Sequence, residues 1–414
     1  MTPPTLRSVE EHQAVVAALL PPTPVEQRPL SEALGAVLAT DLHAPLPLPP
    51  FDNSAMDGYA VRAADVAGAS DVSPVELPVA HDIPAGRVDS PPLHPGTAHR
   101  IMTGAPMPPQ ADAVVQIERT NGGIDQVQVR HAPLPGENVR FAGEDAEAGA
   151  VILPAGTVLG APQLGLAAAV GAATLPVRRA PSVLVLSTGS ELVAPGTPLQ
   201  HGQIYESNGM MLTAAVREAG CRGELLRFVP DDVEAFTTVL AQRIAELAEQ
   251  AGDVDLVITS GGVSAGAYEV VKDALTGHGV DFVRVAMQPG GPQGAGRLDH
   301  MGGQPIVTLP GNPVSSQVSF EVFLRPALRR AYGHPHPDRP AVRVRLGEPL
   351  DSPAGRRQYR RGQLDAVNGI VQVVGGPASH LLTSLARADC LIVLPEHVTH
   401  APEGTEVDVW LLEC

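Results

Sequence analysis

Positive charge, cysteine and long apolar runs are all scarce in this 414-residue sequence. Lysine and arginine total 28 against 45 aspartates and glutamates, a formal net charge of −17. Nucleic acid or an acidic lipid surface therefore meets no broad attraction, and a small anionic ligand has to be held in a specific pocket by local cations or backbone N–H groups. No apolar stretch approaches the roughly 20 residues that a bilayer-crossing helix needs, so no membrane partner is expected. The opening residues, Met1 to Glu10, lack a basic segment followed by an apolar run and a small-residue cleavage site. Without that secretory pattern the cytoplasm is the expected compartment. The three cysteines, Cys221, Cys390 and Cys414, are far apart and fit neither a zinc nor a redox spacing, which leaves them as small core or terminal residues. The 14 histidines are equally scattered. His334 and His336 flank a proline in a linker-like run, and no metal site is expected there.

What is present is the composition of a soluble globular protein, 44% hydrophobic and 18% charged, in a chain long enough for about two to four domains. An amphipathic helix is expected around Val9 to Leu20 and a second apolar-periodic piece from Leu30 to Ala39. From Leu46 to about Gly143, short alternating segments such as Val75 to Val79 and Val127 to Val129, cut by Gly and Pro, predict a β-rich module. The Ala, Gly and Leu run from Val158 to Val170 returns to helix. Between Pro181 and Tyr332, apolar runs at Val183 to Leu186, Glu224 to Phe228, Leu256 to Thr259, Phe282 to Ala286 and Ile306 to Leu309 alternate with helical stretches at Met210 to Glu218, Val233 to Ala251 and Val314 to Arg330. That alternation predicts a mostly parallel sheet covered by helices, with Asp231 and Asp232 capping the second helix. After Gly333 a proline-rich stretch ends the last helix, and strand-like alternation, as in Val342 to Leu346, predicts a small all-β tail.

Three strands of the α/β region run straight into turns of small residues. They are Ser187-Thr188-Gly189-Ser190-Glu191, Ser260-Gly261-Gly262-Val263-Ser264-Ala265-Gly266 and Pro310-Gly311-Asn312-Pro313-Val314-Ser315. In a parallel sheet all three fall at the carboxyl edge, where open α/β folds bind ligands. Glycine lets the backbone approach a phosphate or oxyanion closely, and the N–H groups of a following helix start can donate to it. The acidic groups Glu191, Asp231, Asp232 and Glu269 in the same region suit a divalent cation bridging carboxylates and phosphate. A second set of polar motifs lies in the first third: Phe51 to Ala60, Arg100 to Pro106 and Gly143-Glu144-Asp145. None shows helix or strand periodicity, so each is expected as exposed loop of a functional kind.

These motifs carry a resemblance. Ser54-Ala55-Met56-Asp57-Gly58-Tyr59-Ala60-Val61, Arg100 to Pro106, Gly143 to Asp145, Ser187 to Leu192, Ile204 to Asn208, Ser260 to Gly266, Leu309 to Ser315 and the tail together resemble the MoeA family, which includes the carboxyl-terminal domain of gephyrin. The resemblance runs almost end to end. It implies an α/β multidomain fold: an elongated first domain, discontinuous over 1–45 and 144–178; an inserted β-rich domain over 46–143; an α/β molybdopterin-binding domain with a mostly parallel sheet over 179–332; and a carboxyl-terminal β-barrel-like domain over 333–414. The implied activity is molybdopterin molybdenumtransferase, the insertion of molybdate into adenylylated molybdopterin with release of AMP and with Mg²⁺ as cofactor. A homodimer with active sites shared between subunits, and hand-over of the pterin from an adenylyltransferase, are implied as well.

Carried over by motif, the resemblance puts Asp57, Thr103, Asp145 and Glu191 in the catalytic cleft, with Glu191 and Asp232 toward the metal. Substrate-binding positions are Ser187, Thr188, Gly189, Asp232, Ser260, Gly261, Gly262, Ser264, Glu269, Lys272, Pro310, Gly311, Asn312 and Ser315, joined from the tail by Arg356, Arg361, Ser379 and Ser384, with Arg356 placed to neutralise molybdate. Three positions depart from the family pattern. Pro289-Gly290-Gly291-Pro292 has glycine where the family often has lysine, so positive charge has to come from Arg356, Arg361, Lys272 or Arg297. Ser190 and Glu206 stand where aspartates are common. Alternative readings are the preceding adenylyltransferase, a tungstate-preferring paralogue and a gephyrin-like scaffold. The additional domains, together with Ser260-Gly261-Gly262-Val263-Ser264 in place of the adenylyltransferase's Thr-Gly-Gly-Thr-Gly, weigh against the first; the lack of a fused partner segment weighs against the last.

Overall fold

A computed structural model describes residues 6–189, 191–229, 233–261 and 270–412. The helix Val9–Leu19 starts at a capping box in which Ser8 accepts from the Glu11 N–H and Glu11 reaches back to the Ser8 N–H. Its buried face, Val9, His12, Val16 and Leu19, packs not on its sequence neighbours but on the α/β core far along the chain. There His12 meets Phe323 edge-on at 4.7 Å and Gln13 donates to the Val322 carbonyl at 3.0 Å.

Beyond that helix, Val25–Pro29 pairs antiparallel with Thr174–Arg178, and Leu42–His43 with Val151–Leu153. The chain thus leaves a narrow ribbon and returns to it, and the helix Ala161–Ala169 helps bury Leu38, Leu159, Leu175 and Val177. The periodic piece expected from Leu30 to Ala39 is helical only over the single 3-10 turn Leu30–Glu32. Gly35, at φ +75°, then swings the chain into bridges from Val37 to Val158 and Leu38 to Val177. The alternation of Val37 and Leu38 serves two neighbours rather than one helix face.

The insertion holds a five-stranded sheet in the order Ala113–Gln116, Gly58–Val61, Ala98–Ile101, Val75–Ile83 and Gln126–Val129. It corrects one expectation. Half of the Phe51 to Ala60 motif, and Arg100 and Ile101, are strand rather than exposed loop, and Gly58 to Val61 are buried throughout. Tyr59 and Val61 face one core while Ala60 faces another. Gly58 is required here, because a Cβ would lie 2.0 Å from the Val115 carbonyl oxygen.

The α/β unit carries a six-stranded sheet in the order Arg222–Val229, Ser182–Thr188, Leu256–Ser260, Gln304–Leu309, Pro292–Leu298 and Val280–Arg284. The first four strands are parallel, and Pro292–Leu298 runs antiparallel to both of its neighbours. One face is covered by Asn208–Glu218, by the run Pro313–Ala331 and by the amino-terminal helix, and the other by Val233–Ala251 and the short helix Val270–Leu275. The run Pro313–Ala331 contains a π-helical segment at Phe320–Leu324, a feature that widens the turn and re-aims side chains. Within it the buried Glu321 accepts from Arg339 at 2.9 and 3.1 Å, tying the helix to the start of the tail.

The tail closes into a five-stranded barrel: Arg357–Asp365, Ile370–Val373, Ala341–Leu346, Glu406–Leu411 and Cys390–Leu394, the last pairing back to the first. It is not purely β, since Leu382–Ala386 is a helix. Met287–Gln288 of the α/β unit joins the barrel edge by parallel pairing with Arg357 and Gln358. Cys221 and Cys390 are buried and free, and burial pushes the Cys221 thiol up to about 12; Cys414 lies outside the described residues. No helix among the described residues is long and apolar enough to cross a membrane.

His12 and His99 are fully buried, and burial holds both imidazoles down to about 4, with His334 equally depressed. Above the ordinary unfolded value near 6.5 the folded and unfolded forms are both neutral, so stability is complete there. Between about 6.5 and about 4 only the unfolded chain takes up these protons. Stability should therefore fall with pH across that window, by up to about 1.4 kcal/mol per pH unit for each histidine. Urea unfolding at pH 7 and pH 5 measures this slope, and His12→Leu should flatten it.

Candidate active site

The turns of the α/β unit start side by side because the register places Ser187 opposite Ser260 and Ser260 opposite Leu309 on adjacent parallel strands. Gly261, at φ +101°, hands its N–H to the Leu309 carbonyl at 3.0 Å, so the second turn leans on the third. Asn208, at the start of its helix, is the crosslink between them. Its Nδ2 donates to Ser260 Oγ at 2.8 Å and to the Gly311 carbonyl at 2.6 Å. Ser187 and Ser260 are themselves buried. The Ser187 hydroxyl donates to Glu206 Oε1 at 2.8 Å, and the Gly209 N–H reaches the same oxygen at 2.6 Å. Both serines brace the turn floor rather than face solvent, and Glu206, 2% exposed, sits beneath the floor instead of in the open cleft.

Above that floor is a cavity of about 630 Å³. Glu191 and Ile204 form one wall, Pro310, Gly311, Asn312 and Ser315 another, Gln288 to Gly290 with Pro292 a third, and Pro377 to Ser379 of the barrel the last. A Cβ on Gly189, at φ +149°, would sit 2.7 Å from the Glu191 carboxylate, so glycine there lets the acid fold back over the turn. Thr188 is half-buried beside it. Asn312 Nδ2 donates to Ser379 Oγ at 2.8 Å, and the Val314 N–H to the Ser379 carbonyl at 3.1 Å. These two bonds lock the barrel wall onto the third turn. The Gln288–Pro292 wall has its own support, because the buried Gln293 donates to the Gly290 carbonyl at 2.6 Å and to Ser319 Oγ at 2.7 Å.

Not every expected residue reaches this cavity. Ser384, on the short barrel helix, rests against Gly375, and Arg361 is almost wholly buried behind the barrel wall, donating to the Gly376 carbonyl. Burial, and then the neighbouring Arg360 charge, lower the Arg361 guanidinium from its usual value. Lys272 sits on the helix Val270–Leu275 and lines no described cavity. Arg297 is spent on the carbonyls of Gly303 and Leu19. Of the four cations named to replace the missing lysine, only Arg356 borders the Gly291 turn. Asp232, Gly262, Ser264 and Glu269, together with Ser190 and Asp231, lie outside the described residues. Asn208 and Gln293 hold the site together; Asn208 ends the Ile204 to Asn208 motif but was expected in no role, and Gln293 stands in no motif.

The first-third motifs gather in a separate place. The Ser54 carbonyl accepts from the Gly104 N–H at 2.8 Å, Asn53 pairs with Arg140, and the Asp145 N–H donates to the Leu48 carbonyl at 2.9 Å, so the three segments form one surface. There Thr103 N–H and Oγ1 both donate to Asp57 Oδ1, at 2.7 and 2.8 Å. The N–H first, and the hydroxyl second, hold the Asp57 carboxyl below its usual range, so it is an anion at neutral pH. Asp57, Thr103 and Asp145 line no part of the α/β cavity within their own chain. Phe51, Met56 and Phe141 are exposed on the same surface.

Sequence relatives agree with this architecture. Residues 7–171 match the family described as MoeA N-terminal region (domain I and II), 184–330 that described as "Probable molybdopterin binding domain", and 343–412 that described as MoeA C-terminal region (domain IV). The chain is 54% identical over 98% of its length, and 99% of the relative's, to molybdopterin molybdenumtransferase 2 of Mycobacterium tuberculosis. It is 35% identical to the molybdopterin molybdenumtransferase of Haemophilus influenzae, covering 94% of each chain. A crystal structure of a molybdopterin biosynthesis MoeA protein from Pyrococcus horikoshii superposes with a TM-score of 0.83 at 33% identity, covering 99% of this chain and all of that one. The chain belongs to the MoeA family of molybdopterin molybdenumtransferases.

Two substitutions test this geometry. Asn208→Ala removes the crosslink between two turns and should cost about 1–2 kcal/mol in urea unfolding. Thr103→Val deletes one of the two bonds to Asp57 and should raise that carboxyl toward its ordinary value, as read by carboxyl carbon NMR titration.

Proposed function

We infer that this chain is a molybdopterin molybdenumtransferase, taking adenylylated molybdopterin and molybdate to the molybdenum cofactor and AMP. One observation carries the reading: the turns after two parallel strands of one sheet, bearing Glu191 and Pro310 to Ser315, enclose a single cavity with the Gln288–Pro292 wall and a barrel segment, in a chain 54% identical over nearly its whole length to an enzyme of that name.

In this reading the backbone of Gly311 and Asn312 and the half-open edge near Gly189 and Gly261 receive the pyrophosphate of the adenylylated pterin. Asn312 and Ser379 fix the pterin side of the cavity, with Ser315 beneath. Arg361, held behind the barrel wall, supplies long-range positive charge. The dithiolene thiols are thereby held beside the oxyanion; two S–Mo bonds form as one oxygen of molybdate leaves as water with the two thiol protons, and attack of a second water on the pyrophosphate breaks its P–O bond and releases AMP. Glu191, an exposed carboxylate in the cavity wall, suits Mg²⁺, which keeps several waters and takes one or two carboxylates along with substrate phosphate oxygens. Bound there, that ion would offset charge on the departing phosphate; Asp232 is assigned to the same role from the family pattern.

Asp57, Thr103 and Asp145 complete the site in trans. A homodimer that sets the first-third loops of one chain over the α/β cavity of the other explains why these loops line no part of the α/β cavity of their own chain, and why Phe51, Met56 and Phe141 are exposed beside them. The anionic Asp57 then acts as a hydrogen-bond acceptor or proton acceptor rather than an acid. Division of the chain at 45, 143, 178 and 332, a cytoplasmic location and receipt of the pterin from an adenylyltransferase belong to the same reading.

The test is AMP release from adenylylated molybdopterin with Mg²⁺ and molybdate, run beside tungstate. Turnover is expected, and its absence with both oxyanions ends the reading. Asp57→Ala and Glu191→Ala should each leave the fold intact and lower turnover by about a hundredfold or more. Mixing the two variants should restore part of the activity, because one cleft in the mixed dimer receives both intact residues. Additive inactivity of the mixture would refute the shared site.

A further inference from the structure

Within the inserted sheet, His99 is a fully buried imidazole with no hydrogen-bond partner at either ring nitrogen. His12, equally buried, has the Arg7 guanidinium 3.4 Å from its Nδ1. The His99 ring is neutral at pH 7, with an N–H on one nitrogen and a lone pair on the other. Leaving both unmet in the interior costs stability, and a buried polar group orphaned in this way marks the place of a water or an ion.

The sheet supplies a companion. Val75–Ile83 runs parallel to Ala98–Ile101, and the register steps from Val79 opposite Ala98 to His81 opposite His99, so Ala80 is bulged out of the ladder. Without that bulge Ala80 would stand beside His99. Bulges re-aim side chains, and this one sets the exposed His81 against His99 with ring centroids 4.9 Å apart and planes at 90°. On the other side His99 pairs with Ala60, which offers no polar side chain.

The spacing suits a shared ion. A metal–imidazole bond of about 2.0–2.1 Å puts the ring centroid about 3.2 Å from the metal, so two rings at neighbouring tetrahedral or square positions have centroids about 4.5–5.2 Å apart. The pair falls inside that interval. His81, being exposed, is free to turn a nitrogen toward the ion while packing holds His99, and water completes the coordination from the solvent side. His94 and Arg87 are the other positive or protonatable groups that bear on His99. Arg87 is engaged by Asp89 at 3.1 and 3.0 Å and by the Asp82 carbonyl at 2.7 Å, which offsets its charge. The pair His278 and His300 has a similar spacing, 5.0 Å, but both rings are exposed and water meets their nitrogens, so nothing there demands an ion.

We propose that His81 and His99 form a site for a divalent transition-metal ion of the imidazole-binding kind, Zn²⁺ or Cu²⁺, that pins the strand Val75–Ile83 to the strand Ala98–Ile101. The site stands apart from the transferase reading and from the Mg²⁺ assigned to Glu191, because Mg²⁺ takes oxygen ligands. Its effect on the rest of the molecule is mechanical. Thr103, which holds Asp57, follows Ala98–Ile101 by two residues, so an ion clamped on His99 stiffens the strand that carries it.

Zn²⁺ titrated by calorimetry into chelator-stripped full-length protein tests the site, with wild type run beside His81→Ala, His99→Leu and His300→Ala. One site should weaken about tenfold or more in each of the first two variants and stay unchanged in the third, and excess Mg²⁺ should not displace the ion. Zn²⁺ should raise the thermal unfolding midpoint of wild type and not that of His81→Ala. Electron paramagnetic resonance of the Cu²⁺ form should show two coordinated imidazole nitrogens, and one in His81→Ala. Because His81 is exposed, its removal leaves the fold intact and keeps the test decisive even if His99→Leu does not fold. Undiminished binding in His81→Ala, displacement by Mg²⁺, or a site lost with His300→Ala instead overturns the proposal.

Discussion

Ser187, Ser260 and Leu309 lie abreast on three parallel strands, and each strand ends there or one residue further on, with backbone groups that the sheet no longer pairs. Parallel pairing forces every following turn to the same edge, and a buried amide without a partner is costly, so the turns have to bond to one another or to a ligand. Asn208 takes up part of that demand by joining Ser260 to Gly311. Gly261 takes another part through the Leu309 carbonyl. What remains open is a ring of small residues around a space, and the barrel closes it through Asn312 and Ser379. The cavity is thus a by-product of strand register, with few of its walls dependent on large side chains.

Much of this was legible beforehand, for reasons that differ by element. Strands such as Val183 to Leu186 are buried on both faces and read as continuous apolar runs, and the glycine turns after them carry their own signal. Pro292–Leu298 escaped notice because it is built from Pro, Gln, Gly and Ala. Gly294 and Gly296 are there because Phe282, Thr308 and the Gly279 carbonyl press against their α-carbons, a tertiary requirement without periodicity. The same holds for Gly58–Val61, where two opposed cores demand residues on both faces and erase the alternation of a half-buried strand. Gln293 shows the limit for site residues, since one polar side chain that supports a turn has no pattern along the chain; Asn208 stands in a matched motif, but nothing in the sequence assigns it the tying of two loops. Arg361 shows the converse, a motif residue that the fold sets behind the wall and not in it.

Charge is distributed against the overall balance. The chain is acidic, yet among the described residues the wall of the cavity beside the barrel carries one carboxylate, Glu191, while Arg361 is buried behind its barrel side and Arg356 borders the Gly291 turn. Acidic groups Asp57 and Asp145 are displayed on a distant surface of the same chain.

The packing of Val9–Leu19 against Val322 and Phe323 has a consequence for how the molecule is made. The contact from Gln13 to Val322 spans 309 positions, so during translation the apolar face of that helix emerges long before its seat exists. At ribosomal speeds of about 5–20 residues per second the wait is roughly 15–60 s. The intervening ribbon and inserted sheet have cores of their own to form in that time, whereas the apolar face of the helix stays without its seat until the run Pro313–Ala331 has emerged.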